Sequence, residues 1–127
     1  MRKLDHIGIY VRSIDQASAI YERLGFPVQR VMQFNAGAGR EVPIAFIPVG
    51  DGVDLELIEA PGALEAGFEP LHHICFEVPD IAAELAACKA AGTPLADHEP
   101  RPGAAARLIA FLEPAAADGV RIELAEK

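Results

Sequence analysis

Laid on itself at an offset of 67 residues, the chain matches its own second half, and this internal repeat constrains the fold more than any other feature. At that offset Leu4 falls on Leu71, His6 on His73, Ile7 on Ile74, Val11 on Val78, Ile14 on Ile81, Ala19 on Ala86, Gly25 on Gly92 and Pro27 on Pro94. The register slips by two where Ala45-Phe46 meets Ala110-Phe111. It returns for Gly52/Gly119, Val53/Val120, Glu56/Glu123, Leu57/Leu124 and Glu59/Glu126. The chain is therefore expected to be one domain, residues 1–127, made of two modules at about 1–60 and 71–127.

Each half reads as a strand, a helix and three further strands. Leu4–Val11 alternates with Ile7, Ile9 and Val11 on one face, the pattern of a half-buried strand. A helix follows, with Ser13 or Asp15 as N-cap, Ile14, Ala17, Tyr21 and Leu24 at helical spacing, and Gly25 as its stop. Strands are expected near Val28–Phe34, Val42–Val49 and Val53–Ala60, with turns at Asn35–Gly39 and Gly50–Gly52. The second half repeats the order: a strand at Leu71–Val78, a helix from Asp80 to Gly92, a weak strand at Pro94–Asp97, then Leu108–Leu112 and Val120–Ala125. Pro61–Pro70 joins the modules and is too short to be a flexible linker. The fold class is α+β, with two tandem βαβββ modules.

Composition narrows the function. With 19 acidic and 11 basic residues the formal net charge is −8, and no Lys/Arg cluster is present, which argues against nucleic acid. No apolar run is long enough to span a bilayer, and Met1-Arg2-Lys3 leads into Leu4-Asp5-His6 rather than a signal-peptide core, so a cytoplasmic protein without a membrane partner is expected. Cys75 and Cys88 match no zinc or redox motif and read as buried thiols. A chain of 127 residues buries roughly two thirds of its unfolded surface, so any metal would serve chemistry rather than folding.

The repeat places two polar pairs in equivalent positions, His6 with Glu56 and His73 with Glu123, each fifty residues apart (6 to 56, 73 to 123). Strand parity sends His6 away from Ile7, Ile9 and Val11, Glu56 away from Val53, Leu55 and Leu57, and Glu123 away from Val120, Ile122 and Leu124. Parity also selects His73 over His72, which faces with Ile74, Phe76 and Val78. Either the histidines hydrogen-bond within the sheet and the glutamates are solvated at strand ends, or the four hold a divalent cation. Two imidazoles and two carboxylates suit Zn, Ni, Co, Fe or Mn. One such pair needs no metal; two pairs related by the repeat point to one.

The βαβββ repeat carrying His, Glu, His and Glu resembles the vicinal oxygen chelate superfamily, the glyoxalase, bleomycin-resistance and extradiol dioxygenase group. Within it, Leu4-Asp5-His6-Ile7-Gly8-Ile9, Leu71-His72-His73-Ile74, Glu99-Pro100-Arg101-Pro102-Gly103-Ala104 and Gly119-Val120-Arg121-Ile122-Glu123-Leu124 look most like the methylmalonyl-CoA epimerases. The resemblance covers nearly the whole chain and implies a curved mixed sheet with His6, Glu56, His73 and Glu123 as ligands of a divalent ion (Co, Ni, Zn, Mn or Fe). It implies a small-molecule substrate of the malonyl-type acyl-CoA class, whose enolate the metal stabilises. Glu123 is the leading base because family members use the equivalent glutamate that way, and Glu56 is the second catalytic candidate. The chain departs from epimerases in having no carboxylate at Pro43 or Ile44, in reading Glu113-Pro114-Ala115-Ala116 where His-Pro-Lys is common, and in a short connector at Gly62–Pro70.

Further candidates for substrate binding are Arg101 and Arg107, which flank Pro102–Ala106 and otherwise read as solvated loop arginines, and Tyr10 and Glu77, repeat partners on the cavity-facing parity. Cys75 shares the facing of His73 and reads as a small packed thiol; His98 reads as exposed. A glyoxalase I-like lyase acting on a hemithioacetal uses the same ligand set. A resistance-type protein that binds a small ligand without metal is the alternative outside enzymes. An extradiol dioxygenase fits less well, because a fourth protein ligand obstructs an oxygen site. An open sheet edge leads to the expectation of a two-fold homodimer.

Overall fold

The order expected from the repeat, βαβββ twice, is the order found in the computed structural model, which describes residues 2–35, 39–103 and 106–127. The elements are β1 (Lys3–Val11), α1 (Ile14–Arg23), β2 (Arg30–Asn35), β3 (Glu41–Gly50), β4 (Val53–Glu59), α2 (Pro61–Glu65), β5 (Leu71–Val78), α3 (Ile81–Ala90), β6 (Arg101–Pro102), β7 (Leu108–Phe111) and β8 (Ile122–Glu126). A 3-10 turn at Pro114–Ala117 lies between β7 and β8. No helix among the described residues is long and apolar enough to cross a membrane.

The chain divides into two units, His6–His72, and Met1–Asp5 with His73–Lys127. In the first, the strand order is β2-β3-β4-β1, with β3 antiparallel to β2 and β4, and β1 parallel to β4. In the second, the order is β6-β7-β8-β5, with β7 antiparallel to β6 and β8, and β5 parallel to β8. Each unit is thus the same mixed, four-stranded α+β arrangement. In the first unit, Ile14, Ala45, Ile47 and Leu57 form a core against which Ile9, Val11, Tyr21 and Leu55 pack. In the second, Val78, Ile81, Leu85, Leu95, Ala110, Leu112 and Leu124 do the same. Each such aliphatic side chain contributes about 2 kcal/mol by leaving water.

The two long helices are stopped and started by the same chemistry. Ser13 is the N-cap of α1, its hydroxyl accepting from the Gln16 N–H at 3.2 Å, while Asp15 lies in the first turn. Asp80 caps α3, accepting from the Ala83 N–H at 3.1 Å. A second acceptor comes from the end of the parallel neighbour strand: Glu59 takes the Ile14 N–H and Glu126 takes the Ile81 N–H, each at 3.0 Å. At the other end Gly25 and Gly92 adopt positive φ. They let Phe26 N–H bond Tyr21 O (2.8 Å) and Thr93 N–H bond Cys88 O (2.9 Å), a Schellman ending in both helices. The matched pair Glu59/Glu126 is therefore explained by helix capping. Replacing either by Ala is expected to lower stability in urea denaturation by about 1 kcal/mol; an unchanged midpoint contradicts the capping role.

Two expectations are corrected. Strand β2 begins at Arg30 rather than Val28, because Val28 packs into the helix–sheet core and pairing starts with Gln29 N–H on Phe46 O at 2.9 Å. The weak strand at Pro94–Asp97 is only an isolated bridge, Leu95 to Leu112, and β6 lies at Arg101–Pro102. The Asp97 carboxylate takes the Phe111 N–H at 2.9 Å, removing the donor that a longer ladder needs. The connector carries a five-residue helix, whose sequence signal is Pro61 at its first position. The turn at 35–39 falls on residues 36–38, outside the described residues. In the turn after β3, Gly50, Asp51 and Gly52 all have positive φ, which accounts for the two glycines.

Candidate functional site

Period-2 alternation decides which side chains leave the helix-packed face. In the first unit Ile9, Val11, Leu55 and Leu57 pack under α1, so His6 and Glu56 point to the opposite face. There His6 Nε2 lies 3.7 Å from Glu56 Oε2. In the second unit Val78, Ile122 and Leu124 pack under α3, and on the other face His73 Nε2 lies 3.2 Å from Glu123 Oε1. The His73 and Glu123 side chains are 4% and 8% exposed, those of His6 and Glu56 12% and 8%, so neither glutamate is solvated at a strand end.

Apolar groups border both carboxylates. Phe46 is the cross-strand neighbour of Glu56, and Cys75 and Phe111 are those of Glu123. The His73 ring meets Phe111 edge-on at 5.8 Å between centroids. Cys75, Ile109 and Ala125 form a buried cluster with Phe111 packed against it. A carboxylate placed among such groups is costly unless a cation or hydrogen-bond donors compensate it. Each pair offers one imidazole nitrogen and one carboxylate oxygen, a mixed donor set that fits a borderline divalent cation in both ligand type and burial.

The other sequence candidates are placed as follows. Arg107 is enclosed by acceptors: Nη1 lies 2.9 Å from Asp5 Oδ1, Nη2 3.4 Å from Glu77 Oε2, and Nε donates to Glu126 O at 3.0 Å. The structure thus brings together Arg107 and Glu77 as an ion pair. Arg101 pairs with Asp97 at 3.1 Å and holds its guanidinium over Phe111, 5.5 Å from the ring centre. Tyr10 stacks at a tilt on His72, ring centroids 4.7 Å apart. His98 is exposed. Burial, and after it the Glu84 carboxylate one turn earlier, push the Cys88 thiol up. Both cysteines are free.

Reading the sequence missed Asp5, Asp97, Arg30 and the two phenylalanines. The Ala45-Phe46 match to Ala110-Phe111 was the available signal for the latter. The place on β3 that lacks an acid is filled by Ile44, 3% exposed and two residues from Phe46 on the same facing; Glu41 is exposed and has the facing of Ala45. Gly103 is required by a close approach: a Cβ there would lie 2.7 Å from Ile109 Cγ2. The end of that motif, Ala104, lies outside the described residues.

Comparison with known proteins gives a consistent picture. Residues 5–111 match the Glyoxalase/Bleomycin resistance protein/Dioxygenase superfamily. The uncharacterized protein YqjC of Bacillus subtilis (strain 168) is 38% identical, the match covering 99% of this chain and 93% of that protein. The ethylmalonyl-CoA/methylmalonyl-CoA epimerase of Cereibacter sphaeroides is 31% identical over 96% of each. Among solved structures, a methylmalonyl-CoA epimerase in complex with methylmalonyl-CoA and NH4+ superposes with a TM-score of 0.85 at 28% identity, covering 100% of this chain and 95% of that one.

Proposed function

This chain belongs to the Glyoxalase/Bleomycin resistance protein/Dioxygenase superfamily, and from that premise we propose that it is a metal-dependent isomerase that removes a proton from a carbon next to a carbonyl. The observation that carries the reading is the pair of buried His–Glu couples, His6 with Glu56 and His73 with Glu123, at repeat-equivalent positions. Held by these four side chains, a divalent cation would supply the positive charge that stabilises an enolate oxygen.

The chain's own residues account for the rest of the reading. Glu123 is the base: its carboxylate takes the proton from the carbon and holds it for return to the enolate. His73, 3.2 Å away, orients that carboxylate. Phe111, Cys75, Ile109 and Ala125 form an apolar wall beside that carboxylate and shield it from bulk water. Glu56 is placed by β4 in the repeat-equivalent position and completes the ligand set. Two epimerase relatives, one of them solved with methylmalonyl-CoA, make that acyl-CoA the first substrate to test.

The test is proton exchange at C2 of methylmalonyl-CoA in deuterated water, followed by NMR, with protein reconstituted in turn with Co, Ni, Mn and Zn. Exchange above the uncatalysed rate with at least one metal is expected. No exchange with any of them contradicts the epimerase reading. Isomerisation of the hemithioacetal of methylglyoxal and glutathione in its place identifies a glyoxalase I-like lyase.

A further inference from the structure

We propose that Arg30 is a specificity-determining residue that takes an anionic group of the substrate, a carboxylate or a phosphate; this rests on the acyl-CoA reading above. Arg30 opens the outer strand β2 and is exposed. Its guanidinium lies over the Phe46 ring, 4.6 Å from the centre. Arg30 registers with Phe46, and Phe46 registers with Glu56, so the three form one row on a single face of the sheet. Two strand spacings separate Arg30 from Glu56, about 10 Å.

The second unit shows what such an arrangement takes. There Arg101, on the outer strand β6, reaches over Phe111, and Phe111 registers with Glu123. That guanidinium is paired with a carboxylate of the chain itself, Asp97, at 3.1 Å. Arg30 enters no ion pair among the described residues. Arg107 is similarly committed, to Asp5 and Glu77. A protein of net charge −8 needs local positive charge to receive an anionic substrate. Arg30 supplies it on the face that bears His6 and Glu56. Held over Phe46, the planar guanidinium can donate two N–H groups to a pair of oxygens, a geometry that Lys does not reproduce.

The experiment measures binding by equilibrium dialysis to wild type, Arg30→Gln and Arg30→Lys, with methylmalonyl-CoA, propionyl-CoA and methylmalonyl-pantetheine as probes. Arg30→Gln is expected to weaken methylmalonyl-CoA about tenfold, the loss of one charge-assisted contact, with Arg30→Lys between it and wild type. If propionyl-CoA weakens equally and the pantetheine ester does not, the anion is a CoA phosphate. If the pantetheine ester weakens and propionyl-CoA does not, it is the acyl carboxylate. Binding of all three within twofold of wild type in Arg30→Gln overturns the role of Arg30 while leaving the acyl-CoA reading standing. Failure of the wild type to bind any of them overturns the acyl-CoA reading, and the role of Arg30 with it.

Discussion

Replacing Glu123 by Gln is expected to slow proton exchange at C2 of methylmalonyl-CoA about a thousandfold, the usual worth of a positioned general base. The amide keeps the size of the side chain and a carbonyl oxygen to face His73, so the fold is retained, but it cannot hold the transferred proton. No other carboxylate can substitute on β3, where Pro43 and Ile44 stand in place of an acid and Glu41 faces with Ala45. The burial of Glu123 beside Cys75 and Phe111 also keeps a solvent base from taking its place. Exchange in Glu123→Gln above a tenth of the wild-type rate would contradict the assignment.

The second large effect is on stability and metal binding together. His73→Ala strips the buried Glu123 carboxylate of an imidazole 3.2 Å away. Breaking a buried pair by removing one partner costs about 3 kcal/mol. His6→Ala removes a partner at 3.7 Å from a less enclosed position and is expected to cost the metal-free protein less. Urea denaturation in the presence of a chelator reads both. In the presence of a divalent ion the wild type gains stability as the ion concentration rises and His73→Ala does not. Equal costs for the two variants, or the same metal-dependent gain in both proteins, would sink this assignment.

The sequence carried the fold well wherever a period-2 pattern met a glycine stop. The alternation in Leu4–Val11 and Leu71–Val78, and the stops at Gly25 and Gly92, correspond to β1, β5 and the ends of α1 and α3. The same parity brought His6 against Glu56 and His73 against Glu123, because one residue's shift in a strand would have turned each side chain into the helix-packed face. What escaped are features made by side chains that reach across sequence. Asp97 stops a strand from forming by taking the Phe111 N–H. Arg107 finds Asp5, 102 residues away, and Glu77, 30 residues away, and no local pattern announces either partner. The Arg30–Phe46 stack depends on the hairpin register of β2 and β3, which the two-residue slip of the repeat obscures. Ser13 and Asp15 were indistinguishable as caps until the Gln16 N–H showed which side chain it uses.

The metal content of the dialysed protein, measured by elemental analysis beside a Glu56→Ala/His73→Ala double variant, tests the central claim most directly. About one divalent ion per chain in the wild type and none in the variant is the result expected of a four-ligand site. Wild-type protein that retains no ion, even after reconstitution with Co, Ni, Zn, Mn or Fe, would contradict it and leave a fold of this superfamily that binds its ligand without metal.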